Sequence, residues 1–130
     1  MAKISRFEDL ETWQLAREIC NVVYEFTMFE SFSRDFSLKD QIRRSSGSVM
    51  DNIAEGFERD GRKEFRQYLS IAKASCGETR SQLYRAFDLK YVSKEDFDTL
   101  YDLLIVESKK ISAFIKYLQH SEFKGNKYKN

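Results

Sequence analysis

Residues 41–83 contain no proline, and their apolar side chains recur every three or four positions on both sides of a single break at Asp60-Gly61. That pattern leaves little choice of fold. Proline-free stretches with this period build amphipathic helices, and an Asp-Gly pair between them reads as a stop and a turn. The row before the break is Leu38, Ile42, Ser45, Val49, Ile53 and Phe57. The row after it is Phe65, Leu69, Ala72, Cys76, Thr79, Leu83 and Ala86, alternating steps of four and three in the manner of a heptad seam. Each row has a slim middle, Ser45-Ser46-Gly47-Ser48 in one and Ala72 to Gly77 in the other. The two slim segments lie at comparable distances from the turn, so an antiparallel hairpin brings them together at a narrow separation.

Two further periodic stretches flank the hairpin. The first predicts a helix over Phe7–Glu30, capped by Ser5 with Glu8 as its capping-box partner. It has one row of Leu15, Ile19, Val22, Phe26 and Phe29, and a second of Trp13, Ala16, Cys20 and Val23. Ser31 to Ser37 reads as a loop, leading to a helix from Ser37 or Leu38 to about Arg59. After the third helix, Arg62 to Lys90, Ser93 is a good N-cap for a fourth running from Lys94 to Ser121. Its rows are Phe97, Tyr101, Leu104, Ser108, Ile111, Ile115 and Leu118, and Leu100, Leu103, Val106, Phe114 and Tyr117. The expected fold is all-α, an up-down-up-down antiparallel four-helix bundle occupying residues 1–121 as one domain, with a flexible basic tail at 122–130. The outer helices show more apolar face than one core seam needs, which points to subunit contacts.

The net charge of +1 excludes a strong global field toward nucleic acid or membrane, but the charge is uneven. Residues 39–94 carry twelve basic and eight acidic side chains, while residues 1–38 carry four and seven. Arg43, Arg44, Arg59, Arg62, Lys63 and Arg66 form a candidate phosphate-contacting strip on the hairpin. A solvated helix face with compensating acids is the commoner meaning of such a run. Asn52, Glu55 and Arg59 share one helical face, and Glu55 and Arg59 are spaced as an i,i+4 ion pair. This polar knot reads equally as a surface pair or as a register-fixing contact at a helix or subunit boundary.

Catalysis and cofactors find no purchase. His120 is the only histidine, and Cys20 and Cys76, the only cysteines, fall at apolar helical positions as buried free thiols. Metal ligation lacks a ligand set, and neither a phosphate loop, a dinucleotide fingerprint nor a nucleophile–base constellation is present. The N-terminus has no apolar leader, and no segment approaches a membrane span, so a soluble cytoplasmic protein is expected. No catalytic, cofactor or metal residues, no membrane and no small-molecule substrate are expected.

The strings FEDLETW (Phe7–Trp13), QIRR (Gln41–Arg44), NIAEGF (Asn52–Phe57), KEF (Lys63–Phe65) and LSIA (Leu69–Ala72) resemble a bacterial family. It is the four-helix bundle proteins encoded by intervening sequences within 23S ribosomal RNA genes. The chain is also similar to the accessory variability protein of diversity-generating retroelements. The resemblance covers Phe7 to Leu118, and NIAEG followed by KEF is its most specific part. It implies a homopentameric ring and, for the retroelement branch, contact with nucleic acid and a reverse transcriptase through a basic surface. It marks Asn52, Glu55 and Gly56 as family-motif positions, structural or at an interface. Members often have a proline shortly before the asparagine, where this chain has Met50-Asp51. Two functions are therefore expected to compete. One is a non-catalytic oligomeric scaffold that binds RNA, DNA or a nucleic-acid-processing protein. The other is a protein–protein adaptor with no nucleic-acid role.

Overall fold

The four periodic stretches become long helices, and a fifth, short helix stands where a loop is expected. The computed structural model describes residues 4–123. Among them lie a 3-10 turn at Phe7–Asp9 and five α-helices, with no strand: α1 (Glu11–Thr27), α2 (Glu30–Arg34), α3 (Phe36–Glu58), α4 (Arg62–Asp88) and α5 (Lys94–Phe123). Helix α1 packs on α3 and α5, α3 packs on α4, and α4 packs on α5. The expected basic tail at 122–130 lies largely outside the described residues, and α5 continues two residues past the expected end at Ser121.

The first expected helix is broken twice. Leu10 is extended, and α1 starts after it without a side-chain cap, so the Ser5–Glu8 capping box does not form. The 3-10 turn folds Phe7 back onto Trp13, with ring centroids 5.2 Å apart, and buries Leu10. That burial favours the turn over a longer helix. The second break is at Phe29, also extended. Turning the chain there returns Phe32 to the core, fully buried and stacked on Tyr91 at 5.2 Å.

Helix α3 has a strong start. Asp35 Oδ1 accepts from the Leu38 amide at 3.0 Å, and Oδ2 accepts from the Tyr91 hydroxyl at 2.8 Å. The Leu38 amide first, and Tyr91 second, hold this carboxyl below the usual aspartate range. The helix runs unbroken through Met50-Asp51. Gly61, at φ 97, makes the turn into α4 with a conformation that costs glycine little. Helix α4 ends in a Schellman arrangement: the Tyr91 amide bonds to the Ala86 carbonyl, the Lys90 amide bonds to that of Phe87, and Lys90 takes the left-handed position at φ 66. Ser93 caps α5 as expected, its hydroxyl accepting from the Asp96 amide at 3.0 Å.

The core draws Ala16, Ile19 and Val23 from α1 and Leu38, Ile42, Val49 and Ile53 from α3. From α4 it takes Leu69, Ala72, Cys76, Leu83 and Ala86, and from α5 Phe97, Leu100, Leu104, Ile111 and Leu118. On α5 this differs from expectation. The buried row passes through Leu100 and Glu107, while Tyr101, Ser108 and Ile115 are only half-buried. Much of the second apolar face on the outer helices is taken up inside the chain. Trp13 meets Phe7, Phe29 meets Phe26, and Phe114 meets Phe65 at 5.2 Å.

Candidate functional site

The slim segments of α3 and α4 do meet, and hydrogen bonds fill the meeting. Ser45 Oγ lies 2.8 Å from Thr79 Oγ1 and donates to Gln82 Oε1 at 2.7 Å. One turn on, Ser48 Oγ lies 2.8 Å from Ser75 Oγ. Contacts climb one helix as they descend the other, down to Gly56, which faces Phe65 and Tyr68. Here α4 leaves no room for a side chain on α3. A Cβ on Gly56 would sit 2.6 Å from Tyr68 Cβ, a separation real structures do not show. Gly47 and Gly77, which lie in the slim segments, have nothing within 4 Å of such a carbon, so close approach does not require them.

The family-motif residues divide accordingly. Asn52 donates to the Ser48 carbonyl at 2.8 Å and to Ser48 Oγ at 2.9 Å, joining the seam network. Gly56 is buried against α4. Glu55 points outward. Its expected partner Arg59 reaches across to α4 instead, donating to the Tyr68 hydroxyl at 2.6 Å with its guanidinium 5.2 Å from that ring. The Tyr68 hydroxyl is the main cause of the raised Arg59 pKa, and Glu55 acts only as a minor charge.

The six candidate basic residues form two groups. Arg59, Arg62, Lys63 and Arg66 gather around the α3–α4 turn, with Arg59 and Lys63 exposed and Arg62 and Arg66 half-buried. Glu55, Glu58, Asp60 and Glu64 are interleaved with them. Arg43 and Arg44 lie about 22–24 Å further along α3 at 1.5 Å per residue. Arg43 is spoken for: its guanidinium lies 4.0 Å from the Tyr24 ring centroid, and its Nε donates to Thr27 Oγ1 at 2.9 Å. Arg44 is outward and paired with Asp40 at 2.9 Å. The six residues therefore make two patches, not one strip. Phe36 and Met28, 74% and 70% exposed, stand beside the Arg43 patch, with Lys39 above the Phe36 ring at 5.2 Å. A cavity of about 500 Å³ opens there, lined by Phe36, Ser37, Lys39, Asp40, Gln41 and Arg43.

Neither thiol is poised for attack. Burial pushes Cys76 up to about 12, and Cys20 is also raised by burial. Both are free; Cys76 Sγ donates to the Leu104 carbonyl and Cys20 Sγ to that of Ser46, each at 3.3 Å. Among the described residues no group of His, Cys, Asp or Glu could hold a metal, and no helix is long and apolar enough to cross a membrane. The sequence reading missed Glu107, a fully buried acid among the core residues of α5. The signal was present: Leu100, Leu104, Glu107 and Ile111 step by four, three and four.

A solved structure has a similar fold: a protein of unknown function from the S23 ribosomal protein family of Bacteroides thetaiotaomicron VPI-5482. It matches with a TM-score of 0.74 at 23% identity, covering 81% of this chain and 98% of that one. No curated protein matches. The family model described as 23S rRNA-intervening sequence protein matches residues 8–113, a span holding the seam, Gly56, both basic patches and Glu107. The chain belongs to the 23S rRNA-intervening sequence protein family.

Proposed function

We propose that this protein is a non-catalytic, oligomeric scaffold whose four long helices form an up-down-up-down antiparallel bundle and whose basic α3–α4 end binds structured RNA. The bundle reading is supported by pair positions. Ser45 with Thr79, Ser48 with Ser75 and Gly56 with Tyr68 set α3 against α4. Cys76 with Leu104 and Phe65 with Phe114 do the same for α4 and α5. The RNA reading rests on one observation above all: Arg59, Arg62, Lys63 and Arg66 all lie at or within one turn of the α3–α4 link, and Arg59 is braced against Tyr68, an aromatic face beside a phosphate-seeking group. The family resemblance supports assembly as a pentamer.

Light scattering tests the assembly, with a mass of five 15.4 kDa chains expected. A filter-binding series with a structured RNA tests the ligand. Binding weakens as salt rises, and the triple variant Arg59→Ala, Arg62→Ala, Arg66→Ala loses affinity and flattens the salt slope by about two to three phosphate contacts. Absence of binding at low salt would sink the RNA reading. A second reading, a protein–protein adaptor, is favoured by the exposed Phe36 and Met28 and by the acids interleaved at the α3–α4 turn. It predicts capture of a specific protein that survives nuclease treatment.

A further inference from the structure

Glu107 occupies a core position of α5 between Leu104 and Ile111, and its relative exposure is 0%. Neither carboxyl oxygen has a hydrogen-bond partner. Among the described residues assigned to the core, Glu107 is the only acid, and Cys76 is the only other side chain that titrates. Such a group is tolerated when neutral and very costly when charged, because a buried carboxylate needs partners to replace lost water.

The neighbours offer little compensation. From α4 the nearby titrating group is Cys76, whose thiol already donates to the Leu104 carbonyl, and Glu107 raises it further. Arg80 of α4 acts on the Cys76 thiol, favouring its charged form. The buried faces of α1 and α3 carry no ionisable side chain: Thr12, Ala16, Ile19, Val23, Phe26 and Thr27 on one, and Leu38, Ile42, Ser45, Ser46, Val49, Ile53 and Gly56 on the other. The half-buried Cys20 of α1 is bonded to Ser46. Among the described residues, Lys110, one turn along α5, is the cation that pulls on Glu107, and its ammonium is engaged 2.9 Å away by Glu11 of α1.

We infer that Glu107 is a proton-operated latch on α5: uncharged, it packs as a core side chain, and on losing its proton to solvent it drives the middle of α5 away from α4 and α1. The inference is independent of RNA binding. The direction follows from burial, which outweighs Lys110 and raises the carboxyl to about 8. The latch is therefore closed through the acid and neutral range and releases as pH rises through mildly alkaline values. Because only one helix carries the charge, the expected change is local opening and not global unfolding.

Infrared difference spectra of the wild-type protein test the protonation directly. A protonated-carboxyl band is expected at neutral pH, lost with a midpoint near 8 and absent from Glu107→Gln. Amide exchange, corrected for its intrinsic base-catalysed rate, tests the motion. Protection across 100–114 is expected to fall on the same curve in the wild type and to stay level in Glu107→Gln. If Glu107→Gln fails to fold, selective glutamate labelling of the wild type still reads the band, and Glu107→Leu replaces it in the exchange experiment. A carboxyl that titrates in the ordinary acid range, or an exchange slope identical in wild type and variant, would overturn the latch.

Discussion

The α3–α4 seam and the middle of α5 both bury polar side chains, but only one of them completes its hydrogen bonds. In the seam, Ser45 bonds to both Thr79 and Gln82, Ser48 bonds to Ser75, and Asn52 bonds to Ser48. In α5, Glu107 has no such company. The difference is geometric. The seam has small hydroxyl residues on both helices at matching heights, so a donor always faces an acceptor across a narrow gap. Glu107 is a long side chain in the same buried row as Leu104 and Ile111, with neither carboxyl oxygen bonded. Polar burial therefore adds specificity in the first region and stores a liability in the second.

Removing the liability should produce the largest change. Glu107→Leu is expected to stabilise the protein at neutral pH by on the order of 3 kcal/mol, because the unfolded chain ionises this group near its ordinary value while the folded chain holds the proton up to about 8. The sign is definite. An acid with a raised folded pKa contributes its full stability below the unfolded pKa and loses it as pH rises through the folded one. Urea midpoints measured from acid to mildly alkaline pH should fall for the wild type and stay flatter for the variant. Equal slopes would erase the contrast between the two regions.

The seam should respond in the opposite direction. Gly56→Ala forces a carbon against Tyr68 Cβ and is expected to cost about 1–2 kcal/mol, despite the better helix propensity of alanine. Gly47→Ala, with open space at that position, should be neutral or stabilising, and a similar loss at both glycines would show that packing is not the cause. Smaller still is Ser45→Ala, expected to cost about 1 kcal/mol by depriving Gln82 and Thr79 of a buried partner. A double-mutant cycle of Ser45→Ala with Gln82→Leu checks it: clear coupling supports a shared network, and strict additivity would deny one.

How much of this could be read from residue order depends on whether the pattern was local. The α4 row from Leu69 to Ala86 was plain because its heptad steps are strict, and each of Leu69, Ala72, Cys76, Thr79, Leu83 and Ala86 is buried. The meeting of small residues was legible too, since equal distances from one turn fix which heights coincide. Which glycine mattered was not legible from spacing alone, although the family resemblance marks Gly56. Gly47 and Gly77 drew attention by sitting among small neighbours, yet the tight spot is at Gly56, where interhelical distance, a property of both helices together, decides. The break at Leu10 was hidden for a related reason, and so was the short α2 that stands where a loop from Ser31 was expected. Phe7 and Phe32 continue the apolar spacing well enough, and only their ring partners, Trp13 and the remote Tyr91, reveal why the helix gives way. Glu107 was passed over because composition treats an acid as a surface residue, whereas position on α5 overrules its chemistry. The division of the six basic candidates was legible as well, since the 15 or 16 residues between Arg44 or Arg43 and Arg59 become, on one unbroken α3, a separation too long for a single strip.

The bond from Tyr91 to Asp35 carries a kinetic consequence. It clasps the α2–α3 corner to the link between α4 and α5, segments 56 positions apart along the chain. Neither corner should be able to fray alone. A protease that cuts at one should find its rate set by release of the other, so cleavage at both sites should share a single opening event.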